Sequence, residues 1–327
     1  MAKVTARTVA ERAGVSLAAV SRAFQPDSPL AEDKRTRILR IAEQLGYKTP
    51  SGRSFSRVSS GTISLVAGDL SNPFYPVVLE ELSLRLHEEG RRLVLHAVPA
   101  GASVDLVMQQ VSGYRSDAAI VASATMSSQL ARECRKQNLP VILFNRVQPD
   151  LQMNAVTCDN YRGGQMVAER LMSRGCRRIG YIAGLRNTST HLERARGFLD
   201  ELERHGLRPF CEAEGNFSYS HARDAVLPLL RAAALPDALF CENDIMALAA
   251  MDVARMIGLR VPEDLAIIGF DDIPLAGWEA YRLTTVRQPM RQMVAEVLQL
   301  IDMIKAGQGT NGTIRVLPVR LIERDSA

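Results

Sequence analysis

Thr5-Ala-Arg-Thr-Val9-Ala10-Glu-Arg-Ala13-Gly14-Val15-Ser16-Leu17-Ala18-Ala-Val20-Ser21-Arg22 reads as two short helices around a tight turn. Val9, Ala10 and Ala13 give the first helix an apolar stripe, and Gly14 supplies the positive-φ residue that ends it. Val15 plugs the corner. Ser16 is placed to accept from the free amides that open the second helix. Val20 turns inward, which leaves Leu17, Ala18, Ser21 and Arg22 outside. So short a second helix, with an exposed polar face and a terminal arginine, suits the major groove of DNA. An αα-corner inside an ordinary helical domain carries the same pattern, so the surrounding sequence has to decide.

Charge is the first discriminator. Residues 1–61 hold eleven Lys/Arg against five Asp/Glu, a net +6, while the remaining residues come to −2. The positive excess coincides with the paired helices, as expected of a polyanion-binding head on a neutral body. A third helix is predicted from about Glu32 to Leu45, with Ile38, Ile41, Ala42 and Leu45 on one buried face and Gly46 closing it. Lys48-Thr-Pro50-Ser-Gly52-Arg53-Ser-Phe55-Ser-Arg57-Val-Ser-Ser-Gly61 then lacks any core pattern and reads as a linker.

From Thr62 onward the pattern alternates strand and helix. Apolar runs at Ile63–Asp69, Leu93–Val98, Ala118–Ser123, Val141–Asn145, Val156–Asp159, Arg178–Ala183, Ala238–Asn243 and Leu265–Asp272 are separated mostly by amphipathic stretches. Short apolar strands of this kind indicate parallel sheets covered on both faces. Their number exceeds one sheet, so the expected α/β body is two doubly wound lobes. Helix Met290–Lys305 and a late strand Thr313–Glu323 are expected to return to them.

Other compositional features narrow the class. The chain has 327 residues and mean hydropathy near zero, and none of its apolar runs is long enough to span a bilayer. Glu11, Arg12 and Gly14 interrupt any secretion signal in residues 1–20. Cys134, Cys158, Cys176, Cys211 and Cys241 are odd in number and scattered, which reads as reduced thiols in a cytoplasmic protein. GxSxG, HExxH, P-loop and GxGxxG motifs are absent, and the five histidines show no metal-ligand spacing. Neither an enzyme nor a metal or other cofactor is expected.

The sequence resembles the lactose-repressor/galactose-repressor (LacI/GalR) family of bacterial transcription regulators over essentially its whole length. The markers are Val9-Ala10-(x)2-Ala13-Gly14-Val15-Ser16, Val20-Ser21-Arg22, Leu45-Gly46-Tyr47, Asn72-Pro73-Phe74, Arg177-Arg178-Ile179-Gly180 and Arg194-(x)2-Gly197-Phe198. They continue with Asn243-Asp244-(x)2-Ala247-Leu248, Val261-Pro262-Glu263-Asp264-Leu265, Gly269-Phe270-Asp271-Asp272 and Leu283-Thr284-Thr285-Val286. The resemblance implies a three-helix helix-turn-helix head (1–48), a hinge (49–61) and a periplasmic-binding-protein-like effector and dimerisation body (62–327). The body would comprise an N-lobe of about 62–160 and 289–316 and a C-lobe of about 161–288 and 317–327. Crossings would fall near Asn160, Gln288 and Leu317. It further implies a cytoplasmic homodimer acting as a repressor on a pseudo-palindromic operator.

Carried over from the family, base contacts fall to Leu17, Ala18 and Arg22, and phosphate contacts to Thr5, Ser16 and Ser21. Arg22 can donate twice to guanine, worth about 1–3 kcal/mol of discrimination. Leu17 and Ala18 can only meet thymine methyls or exclude polar edges. The hinge departs from the family: Thr49-Pro50-Ser51-Gly52-Arg53-Ser54-Phe55 is one residue shorter, with Gly52 for alanine and Phe55 for leucine. Phe55 suits a minor-groove wedge, with Arg53 and Arg57 on the backbone.

Ligands of open α/β sheets bind beyond the carboxyl ends of strands. Those ends are Asp69, Asn145-Arg146, Asp159-Asn160, Asn243-Asp244 and Asp271-Asp272, groups able to bridge vicinal hydroxyls. The family pattern selects Arg194, Asn243 and Asp271, then Phe74, Arg146 and Asp159. Phe217 and Trp278 could cover the C–H faces of a sugar. Each also has a plainer role: Asp159, Asn243 or Asp271 as a helix cap, Arg194 paired with Glu193 or Glu201, and the aromatics in the core. Arg146 and Arg194 together would tolerate a carboxylate or phosphate, so the expected effector is a sugar, a sugar acid or a related metabolite. The alternative is a transport-type sugar-binding protein, which shares the body but not the basic head.

Overall fold

The computed structural model describes residues 4–24, 28, 30–47, 60–99, 103–113, 116–122, 126–308 and 312–327. The chain divides into two compact units, Met1–Ser60 and Gly61–Ala327.

In the first unit, α1 (Ala6–Ala13), α2 (Leu17–Ala23) and α3 (Glu32–Gln44) enclose a small core of Val9, Ala13, Val20, Ile38 and Ala42. Gly14 ends α1 in the left-handed region at φ 63°, and Ser16 Oγ accepts from Ala19 N at 3.2 Å to start α2. Arg37 of α3 donates through Nη2 to the Ala13 carbonyl at 2.8 Å, filling an acceptor the α1 terminus leaves open. The expected face of α3 is shifted: Leu39 is buried, while Ile41 and Leu45 pack only at the core's margin.

The second unit contains two sheets. The first is ordered β11 (Ile314–Leu317), β5 (Asn154–Cys158), β4 (Val141–Phe144), β3 (Ala118–Val121), β1 (Thr62–Gly68), β2 (Arg92–Val98), all parallel. The second is ordered β12 (Arg320–Ile322), β10 (Thr284–Arg287), β9 (Ala266–Asp271), β8 (Ala238–Cys241), β6 (Ile179–Ala183), β7 (Cys211–Glu214), with only β12 antiparallel. Strands β3, β4, β5, β6 and β8 are buried at every residue, as central parallel strands flanked by helices must be.

Helices α4 (Phe74–Glu88), α5 (Val104–Gly113), α6 (Ser128–Lys136) and α11 (Met290–Lys305) belong to the first lobe. Helices α7 (Asn160–Ser173), α8 (Ser189–Arg204), α9 (Tyr219–Leu229) and α10 (Asp244–Met256) belong to the second. The chain changes sheets after Cys158, after Arg287 and after Leu317. The single late strand expected over Thr313–Glu323 is therefore two. Leu317 pairs with Cys158 in one sheet and Arg320 with Arg287 in the other, and Pro318, with no amide hydrogen to donate, lies in the break.

Candidate functional site

On the first unit, Leu17, Ala18, Ser21 and Arg22 form the exposed side of α2, with Leu17 54% exposed. Thr5 and Ser16 are exposed too, and both hydroxyls accept helix-opening amides: Thr8 N at 3.4 Å for Thr5 and Ala19 N for Ser16. A hydroxyl that accepts one amide still has its own proton to donate. Arg53 and Phe55 lie outside the described residues.

Between the lobes, the carboxyl ends of β5, β8 and β9 converge on Arg194 of α8. This guanidinium is 2% exposed. Nε donates to Asn160 Oδ1 at 2.9 Å, Nη1 to the Glu242 carbonyl at 2.5 Å and Nη2 to Asp271 Oδ1 at 3.3 Å. Its Cζ lies over the Phe270 ring, 3.6 Å from the centroid, a cation–π contact. Asp271 Oδ1 also accepts from Gln288 Nε2 at 2.7 Å, across the β10–α11 crossing. Burial raises the Asp271 pKa, and the charge of Arg194 pulls against that rise. The surface pairing considered for Arg194 does not occur. Glu193 instead engages Arg196, and Glu201 engages Arg204.

Arg146, at the exit of β4, reaches the opposite lobe. Nη1 donates to Thr190 Oγ1 at 2.6 Å, and the guanidinium carbon lies 5.6 Å from the Phe217 ring centroid. Val147 N donates to Ser189 Oγ at 2.9 Å, a second bond between lobes. Phe74 is buried and packs edge-on against Tyr75, ring centroids 5.4 Å apart. Asp159 and Asn243 act as helix caps, accepting from Arg162 N at 2.9 Å and Met246 N at 3.2 Å. Trp278 is 58% exposed, which rules out the core role that was its plainer alternative.

Gln288, expected only as a lobe crossing, joins the site together with Tyr75, Thr190 and the pairing of Asn160 with Arg194, none of which was singled out from the sequence. Gln288 directly follows β10, so the strand-end rule would have found it had Thr284–Arg287 been read as a strand. Its Oε1 is buried without a donor, as is Asn145 Oδ1 beside Arg146. Two orphaned acceptors near the lobe junction are what a polyhydroxylated ligand would satisfy. Behind them Glu242, fully buried, accepts from Gly184 N at 2.8 Å, from the Tyr181 hydroxyl and from His191 Nδ1 at 2.8 Å.

Asp244 ties the segment after β9 to strand β10. Its Oδ2 accepts from Ile273 N at 2.8 Å and its Oδ1 from Thr285 Oγ1 at 2.5 Å. Burial, reinforced by the charge of Asp271, pushes its pKa to about 8. A carboxyl that ionises near pH 4 in the unfolded chain and near 8 in the fold keeps its proton longer when folded. Its contribution to stability is therefore complete below about pH 4 and is lost as pH rises to about 8. Asp244→Asn should remove this loss. Plotted against pH from 5 to 8, the variant-minus-parent unfolding free energy should climb by up to about 1.4 kcal/mol per unit. A flat difference would show Asp244 to be ionised throughout.

Residues 5–50 match the family model described as bacterial regulatory proteins, lacI family, and residues 168–327 match that of a periplasmic binding protein-like domain. The HTH-type transcriptional regulator DegA of Bacillus subtilis (strain 168) is 31% identical, covering 99% of this chain and 98% of the relative. The HTH-type transcriptional repressor CytR of Escherichia coli (strain K12) is 30% identical, covering 98% of this chain and 96% of the relative. The solved complex of the transcriptional regulator CelR with cellobiose superimposes with a TM-score of 0.74 at 28% identity, covering 99% of this chain and all of that one. A lac repressor dimer bound to operator and the anti-inducer ONPF shares the fold, with a TM-score of 0.73 at 23% identity over 99% of each chain.

Proposed function

The chain belongs to the lacI family of bacterial regulatory proteins, and from that premise we propose a ligand-responsive transcriptional repressor that binds a pseudo-palindromic operator as a homodimer. The observation that carries the reading is the pairing of an exposed α2 face, bearing Arg22 on a basic unit, with a buried Arg194–Asp271 centre between two lobes. The relatives' names as regulators and repressors support it, and the cellobiose bound to CelR supports a sugar-like effector. Exposed Leu84 on α4 and Leu95 on the adjoining edge strand β2 offer apolar surface of the kind two copies cover. Among the described residues, no helix is long and apolar enough to cross a membrane.

The reading is tested by gel retention of duplex fragments from upstream of the chain's own gene. Retention should weaken steeply with salt, because each lysine or arginine on a phosphate releases condensed counterions. Arg22→Ala should weaken specific retention about 5- to 150-fold and relax preference at one base pair, with little change on random duplex. Equal retention of operator and random duplex by the parent protein would refute the proposal.

A further inference from the structure

We propose that the effector carries an anionic group, a carboxylate or a phosphate, and that Arg146 rather than Arg194 is its seat. The inference rests on the cleft being the effector site. Arg194 is already committed, with its nitrogens on Asn160, Glu242 and Asp271 and its face on Phe270. Arg146 is nearly as deeply placed, at 8% exposure, yet among the described residues it makes no ion pair. Its contacts are the Thr190 hydroxyl, the Phe217 ring and the Tyr75 phenol. The phenol is no counter-charge, because burial raises its pKa and keeps the proton on it. Asp271 is shared between Arg194 and Gln288.

A buried guanidinium whose counter-charge, Asp271, acts on it only at a distance and already holds two other donors is costly. The burial lowers its pKa. An anion brought by a ligand supplies what the fold omits, and charge-assisted bonds to a planar guanidinium are the strong ones. Arg146 also lines a cavity of about 560 Å³, where Asn160, Thr188 and Ser189 face apolar Leu192, Ile314 and Val316, a volume that admits a small ligand with a polar end. The carboxylates of that cavity are engaged or peripheral. Asp159 caps α7, Glu193 pairs with Arg196, and Asp150 is exposed in the turn Pro149–Leu151.

The test uses the full chain and three probes: inorganic phosphate, gluconate and neutral glucose, each at ionic strength matched with chloride. At least one anion should raise the melting temperature of the parent by several degrees at saturation. Glucose should raise it less. Which anion acts separates a phosphate ligand from a carboxylate one. In Arg146→Met the shift should vanish, with affinity for the active anion down roughly 30-fold or more. Without ligand, that variant should melt no lower than the parent. Should Arg146→Met not fold, Arg146→Lys replaces it, expected to keep the charge and part of the shift.

The proposal is overturned if neither anion outperforms chloride, if glucose stabilises as well as both anions, or if the variant keeps the full shift. Operator retention is scored on the same preparations. Failure of the anion seat thus leaves the regulator reading standing, and loss of retention leaves the anion result interpretable.

Discussion

Arg194→Met is expected to cost the second unit about 3–5 kcal/mol of unfolding free energy, the range for breaking a buried ion pair by removing one partner. Methionine matches the length of the stem and retains a contact with Phe270, so little of the loss should come from a void. What remains is electrostatic. Asp271 keeps only Gln288 as donor, while Asn160 Oδ1 and the Glu242 carbonyl each lose a buried charged donor. The expected signature in urea is a lower midpoint at an unchanged slope, because the surface exposed on unfolding does not change. Adding Asp271→Asn to this variant should recover part of the loss, since the stranded group is then neutral. Asparagine also accepts the left-handed backbone there, φ 121°. A loss below about 1 kcal/mol, or no recovery in the double variant, would mean that the pair does not organise the cleft.

The corner of α1 and α2 was legible because what makes it is local: an apolar stripe, one left-handed glycine and a serine cap, all between Val9 and Ser16, although the Thr5 cap that starts α1 was not read. Strands β3, β4 and β8 were legible because a central parallel strand is an uninterrupted apolar run. Strand β7 was not. Its residues Cys-Glu-Ala-Glu alternate between partly buried and exposed because β7 is an edge strand, and so brief an alternation resembles loop. Strand β10 was hidden for another reason. Thr284 and Thr285 are fully buried polar residues whose hydroxyls are satisfied by Arg324 O and Asp244, partners 40 and 41 residues away.

Within the cleft, the strand-end rule led to Asp271 and Arg146 but could not show that Arg194 is directly paired with a carboxylate while Arg146 is not. That distinction depends on contacts between segments far apart in the chain. For Arg194 a local signal did exist. Arg194, Gly197, Phe198 and Glu201 recur at helical spacing on one face, and that face is buried. A glycine and a phenylalanine beside an arginine at that spacing argue for an inward arginine, whatever acids stand next to it.

Gly197 makes that face possible, and Gly197→Ala should be among the most damaging single-methyl additions in the protein. A Cβ there would stand 1.9 Å from the Tyr161 carbonyl oxygen and 2.8 Å from its carbon. Across the same interface, a Cβ on Gly164 would meet the Arg194 oxygen at 2.3 Å and the Phe198 nitrogen at 2.8 Å. These obstacles are main chain and cannot rotate aside, so α7 and α8 would have to part. In an exposed helix the same change stabilises by about 1 kcal/mol. Here it should destabilise by about 3 kcal/mol or more, above the usual range for one excess methylene. The sign alone decides whether the close approach exists. Parting the helices should also reach the cleft, because Asn160 opens α7 and holds Arg194 Nε on α8. Chemical denaturation should therefore show Gly197→Ala at least as unstable as Arg194→Met, while Glu203→Ala, at an exposed position of the same helix, changes stability by no more than about 0.5 kcal/mol. If Gly197→Ala matches the parent instead, the two helices stand further apart than a shared glycine contact allows, and the anchoring of Arg194 through Asn160 loses its structural basis.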